Sequence, residues 1–146
     1  MIINGCEIGP HKPPYIVAEI SCNHCGSIET ALRLIRAAKD TGADAVKMQC
    51  YEAGTITIDH HDSDFIIKSG PWKGWKLYEL YSKTQTPLKW FPELFGYARN
   101  IGIAPFASVF DKSSVDLLER LDCPAYKISS MEINDTPLIR YVRKTG

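Results

Sequence analysis

The stretch Cys123-Pro-Ala-Tyr-Lys-Ile-Ser-Ser-Met-Glu-Ile-Asn-Asp-Thr-Pro137 decides how the chain is read. Residues 125–128 read as a short buried strand that runs into hydroxyl and acidic residues at its C-terminal end, with Lys127 inside the apolar run. Taking an ammonium group out of water is costly unless an anion meets it. A lysine in that setting therefore expects a carboxylate or a bound anion. Working outward, Val46-Lys47-Met48-Gln49 repeats the arrangement earlier in the chain. Two strands that each carry a lysine toward small polar residues point to a pocket for a multiply charged small molecule, with both ammonium groups aimed into it.

The flanking segments read as strand–helix units. Residues 15–20 are apolar and β-branched, expected as a buried parallel strand whose one charge is Glu19. Ser27 is placed to cap a helix to about Thr41, with Ile28, Ala31, Leu32, Ile35 and Ala38 on its apolar face and Gly42 after its end. Residues 45–49 follow as the second strand, with Lys47 and Gln49 on one face and Val46 and Met48 on the other. Residues 50–74 are irregular, with the aromatic content of an ordered lid. A short helix is predicted at 75–81, and a longer one capped by Thr86 with Pro87 in its first turn. The third strand is 103–108, Asp111 caps the next helix, and Pro137 opens the last. Residues 1–14 read as a lead-in, with turns at Asn4-Gly5 and Gly9-Pro10. Such alternation means a parallel sheet with right-handed crossovers. Glu19, Lys47, Gln49, Ser108, Lys127 and Ser130 all fall at or just past strand C-termini, the end where parallel sheets bind ligands.

Composition narrows the choices. A chain of 146 residues that is 45% hydrophobic has enough apolar material for one domain with a core. Formal net charge is zero, so no field attracts nucleic acid or an anionic membrane. No apolar run approaches the ~18 residues of a membrane span, and the N-terminus lacks a signal-peptide pattern. The five cysteines are irregularly spaced, which suits a reduced, cytoplasmic protein. Cys22 and Cys25 have metal or redox spacing but no second pair, and His60-His61 among aspartates reads as a solvated loop. Trp72, Trp75, Tyr78 and Tyr81 have the spacing of core aromatics, with stacking on a sugar as the alternative. For the lysines the alternative to a ligand is structural pairing with Glu19 and Glu132.

Residues 16–24, 42–49, 106–111 and 124–132 resemble the sialic acid (nonulosonic acid) synthase family, four motifs in order over nearly the whole chain. Residues 64–72, 76–81 and 86–90 resemble its pseudaminic acid branch more than its N-acetylneuraminate branch. The resemblance implies an α/β fold of the (β/α)8 TIM-barrel type. Residues 1–146 would be the N-terminal part of that barrel, its first four strand–helix units, without the second half or the C-terminal antifreeze-like domain. It implies condensation of phosphoenolpyruvate with an amino-sugar aldose, of the diacetamido-trideoxyhexose or N-acetylmannosamine type, giving a nonulosonic acid and phosphate by C–O cleavage. On this resemblance Glu19 is the catalytic candidate. Lys47, Gln49, Ser108, Lys127 and Ser130 match phosphoenolpyruvate contacts, and Glu132, Asn23 and His24 match the sugar side. A divalent metal, Mn or Mg, is expected on ligands in the missing half and none in this chain. The full-length family member is expected to be a homodimer, and the fragment inactive alone. Two positions depart from the family pattern: Ala107-Ser108-Val109 stands where a Ser-Thr-Pro or Ser-Ser-Pro is usual, and Cys25 follows the Asn-His pair. The competing readings are another phosphoenolpyruvate-dependent barrel synthase or aldolase, and a non-catalytic truncated barrel.

Overall fold

Period-two burial along Ala45–Cys50 sets the orientation of the sheet. In the computed structural model, which describes residues 1–146, Val46, Met48 and Cys50 are fully buried while Lys47 and Gln49 are only half-buried. This strand, β4, lies second in a four-stranded parallel sheet of order β3-β4-β5-β6, with β3 Val17–Ser21, β5 Ala104–Val109 and β6 Tyr126–Ile128. A small antiparallel hairpin, β1 Ile2–Ile3 and β2 Cys6–Glu7, precedes it. Asn4 and Gly5 both take positive φ there (47° and 77°), so the turn predicted at Asn4-Gly5 is a hairpin turn.

Helices α1 Ile28–Asp40, α4 Phe91–Asn100 and α5 Lys112–Glu119 cover one face of the sheet. Ile35, Phe91, Phe95, Val115 and Leu118 are fully buried against Val46, Met48, Ala107 and Val109 in one core cluster. Each such side chain contributes about 1.5–3 kcal/mol by leaving water. Ser27 caps α1 through the backbone N–H of Thr30, and Asp111 caps α5 through that of Ser114. Gly42, at φ 86°, turns the chain from α1 directly into β4. The remaining helices are α2 Ala53–Ile56, α3 Leu77–Thr84 and α6 Thr136–Val142. The expected lid is ordered. Ile67 donates its N–H to the Trp75 carbonyl and accepts from Gly74, closing the loop into a hairpin-like strap.

Three expectations are corrected. Residues 15–20 are not a fully buried strand: β3 is an edge strand, so Ile16 and Val17 are exposed. Residues 125–128 are likewise at an edge, and Lys127 is exposed rather than buried, because no strand lies beyond β6 to cover it. Thr86 does not cap a helix. A 3-10 turn at Leu88–Trp90 precedes α4, and the Thr86 hydroxyl is buried without a hydrogen-bond partner. No helix is long and apolar enough to cross a membrane.

Candidate active site

Because all four strands run parallel, their C-termini share one end of the sheet. Register then aligns the polar side chains in rows. Glu19 pairs with Lys47, and Gln49 pairs with Ser108, which pairs with Lys127 on its other side. These residues lie on the sheet face opposite the helices. A cavity of about 440 Å³ opens over them. Glu19, Lys47, Gln49, Ser108, Lys127 and Ser130, separated by as much as 111 residues in sequence, all line it.

Glu19 is held from two sides. Its Oε1 accepts from the Ser21 N–H at 2.8 Å and from the Ser21 hydroxyl at 3.1 Å, and its Oε2 is in direct contact with the Lys47 ammonium. A β-bulge makes this possible. Register slips between Glu19 and Ser21, and Ser21 takes φ 45°, so both turn toward the cavity while Ile20 is driven into the core. The carboxylate partner considered for Lys47 is therefore present.

The same does not hold for Lys127. Glu132 does not line the cavity, and its Oε2 is buried without a hydrogen-bond partner. The cavity thus gathers two ammonium groups and one carboxylate. Burial first, and the Lys127 ammonium second, lower the pKa of Lys47, while the Glu19 carboxylate works in the opposite direction. Two cations repelling across a shared cavity favour an anion of more than one charge between them.

Comparison with known proteins places the chain. The NeuB family profile matches residues 34–146. The chain belongs to the NeuB family. Pseudaminic acid synthase of Campylobacter jejuni is 47% identical over 133 residues, which are 91% of this chain and 39% of that protein. N-acetylneuraminate-9-phosphate synthase of Mus musculus is 33% identical across 97% of this chain and 39% of its own length. The chain therefore spans about two fifths of the curated NeuB relatives it matches. Among solved structures, the N-acetylneuraminic acid (sialic acid) synthetase of Leptospira borgpetersenii superposes with a TM-score of 0.82 at 24% identity, over 99% of this chain and 46% of that one. The spore coat polysaccharide biosynthesis protein SpsE of Bacillus subtilis does so at 0.74 with 33% identity, over 97% and 36%.

Within this NeuB chain, the residues expected on the sugar side disperse. Asn23 is exposed and lines a separate, adjoining cavity of about 260 Å³, whose wall includes Ser21, Gln49, Tyr51 and Trp72. His24 faces the helix layer, 3% exposed, edge-on to Trp90 at 5.2 Å. Its Nδ1 accepts from the Gly26 N–H, its Nε2 is buried without a hydrogen-bond partner, and burial lowers its pKa. Six further residues line the cavity without having been expected there from the sequence: Ser21, Tyr51, Ile56, Phe110, Ser129 and Met131. Ser129 was accessible to sequence reasoning, since alternation from Lys127 points residue 129 the same way. Ser21 was not, because a bulge leaves no mark in the hydrophobic pattern.

Proposed function

We propose that this cavity binds phosphoenolpyruvate, and that the chain is the substrate-binding N-terminal half of a (β/α)8 barrel in a nonulosonic acid synthase of pseudaminic type. The observation that carries the reading is the convergence of Lys47 and Lys127, from strands that do not touch, on one cavity shared with Gln49, Ser108 and Ser130. Phosphoenolpyruvate is about a trianion, and charge-assisted hydrogen bonds from ammonium groups, with hydroxyl donors beside them, suit its phosphate and carboxylate. The identity to pseudaminic acid synthases supports the sugar-acid chemistry.

In the proposed reaction, carbon 3 of phosphoenolpyruvate attacks the aldehyde carbon of an open-chain amino sugar, and the aldehyde oxygen becomes a hydroxyl. Water adds to the cationic carbon 2 and gives up a proton. The C–O bond to phosphate then breaks, leaving the keto acid and inorganic phosphate. Glu19, fixed by Ser21 and Lys47, is the group positioned to hold or move a proton in these steps. Nowhere in this chain do three or more His, Cys, Asp or Glu side chains come together to hold a metal ion. A divalent ion, if one is used, would supply polarisation of the aldehyde and would have to be held by residues outside this chain.

The test is calorimetric titration of phosphoenolpyruvate into the wild-type protein and Lys127→Ala. Loss of one charge-assisted contact should weaken binding by about 10- to 100-fold. Undiminished binding by the variant refutes the role given to Lys127. Mass spectrometry of the products formed from different aldoses then distinguishes a nonulosonic acid from a shorter sugar acid.

A further inference from the structure

Cys22 lines the adjoining cavity beside Gln49 and Tyr51, which line both cavities, and its thiol has an unusual set of neighbours. Sγ lies 3.6 Å from Gln49 Oε1 and 3.4 Å from the Tyr51 hydroxyl. Donor accounting gives these contacts a direction. Thr84 donates its only hydroxyl proton to the Leu80 carbonyl at 3.0 Å, so in the 3.1 Å contact between Tyr51 and Thr84 the tyrosine must donate. Tyr51 then has no proton left for sulfur, and the single S–H is shared between the Tyr51 and Gln49 oxygens.

We propose that Cys22 is a positioning residue: its S–H holds Gln49 Oε1 away from the anion cavity, so that the Gln49 NH2 group faces into it as a donor. A primary amide presented the other way would aim its carbonyl oxygen at a bound anion and repel it. Burial raises the pKa of Cys22, which keeps the thiol protonated as this role requires and makes it a poor nucleophile. The effect on ligand affinity rests on the phosphoenolpyruvate reading above; the amide orientation does not.

The experiment is a double-mutant cycle read by phosphoenolpyruvate titration, with Cys22→Ser as a conservative rescue. Cys22→Ala should weaken binding by about five- to tenfold, and Cys22→Ser, which keeps a donor, should recover most of that. In a Gln49→Ala background, Cys22→Ala should have no further effect, because the residue acts only through the amide. An equal loss in both backgrounds, or no loss in either, overturns the proposal. The Gln49 side-chain NH2 resonances, followed by 15N NMR without ligand, supply an independent readout. They should move in Cys22→Ala and return toward their original positions in Cys22→Ser. If they stay put in Cys22→Ala the proposal falls, whatever the cavity binds. If they move but the wild type ignores phosphoenolpyruvate, the positioning stands and the ligand assignment fails.

Discussion

Lys47 is where the chemistry of the site concentrates. It has a carboxylate on one side, a second ammonium across the cavity, and 17% of its side chain exposed. Burial, with the Lys127 ammonium adding to it, lowers its pKa. A bound anion favours the protonated form, so binding takes up protons wherever Lys47 has begun to lose its own. Affinity for phosphoenolpyruvate should therefore decline as pH rises through that lowered value, starting below the ~10.4 of an ordinary lysine. Titrations across alkaline pH check this, and Lys47→Arg, which stays charged, should erase the decline over that range. An unchanged alkaline limb in the arginine variant would assign it to another group.

Among the elements, α5 is held at its N-terminus by one side chain, Asp111. Asp111 accepts from the Ser114 N–H at 2.9 Å and from the Ser114 hydroxyl at 2.6 Å, with the Ser113 hydroxyl also in contact. Burial alone would raise its pKa; hydrogen bonds from Ser113 and Ser114 outweigh it and hold the carboxyl below its ordinary range. The sign follows from linkage: a depressed carboxyl pKa stabilises the fold above the unfolded-state value and ceases to do so as pH falls through the folded-state value. Asp111→Ala should cost about 0.5–2 kcal/mol at neutral pH. Urea unfolding should also show a smaller loss of stability between neutral and acid pH in the variant than in the wild type. Equal acid sensitivity of the two would show that the cap carries none of it.

At the scale of the whole molecule, the sheet is open. β3 and β6 each have a partner on one side only, and Ile16, Val17, Met131 and Ile133 are exposed on or near these edges. Unpaired edges and uncovered apolar residues template association with other chains. The 146-residue polypeptide is therefore expected to self-associate. Light scattering after size-exclusion chromatography checks this, and a monodisperse monomer that turns over substrate by itself would contradict it. The exposed edge also accounts for Lys127. Its apolar sequence setting predicts a desolvated lysine, yet its exposure leaves it in the lining of the cavity.

The order and type of the main elements were legible because they are local properties. The apolar spacing of α1, its Ser27 cap and the Gly42 turn act within a few residues, and so does the alternation that sends Lys47 and Gln49 to one face. Strand ends in a parallel sheet share one side, so the charged residues of the candidate site could be named from position alone. Tertiary structure decided the rest. Burial depends on what lies across the sheet, which made β3 and β6 edges and left Lys127 uncovered. The bulge that turns Ser21 onto Glu19, the rotation of His24 into the helix layer, and the thiol set between Gln49 and Tyr51 all arise from contacts between segments remote in sequence. No local pattern encodes those contacts, because each side chain's partner exists only once the strands have come together.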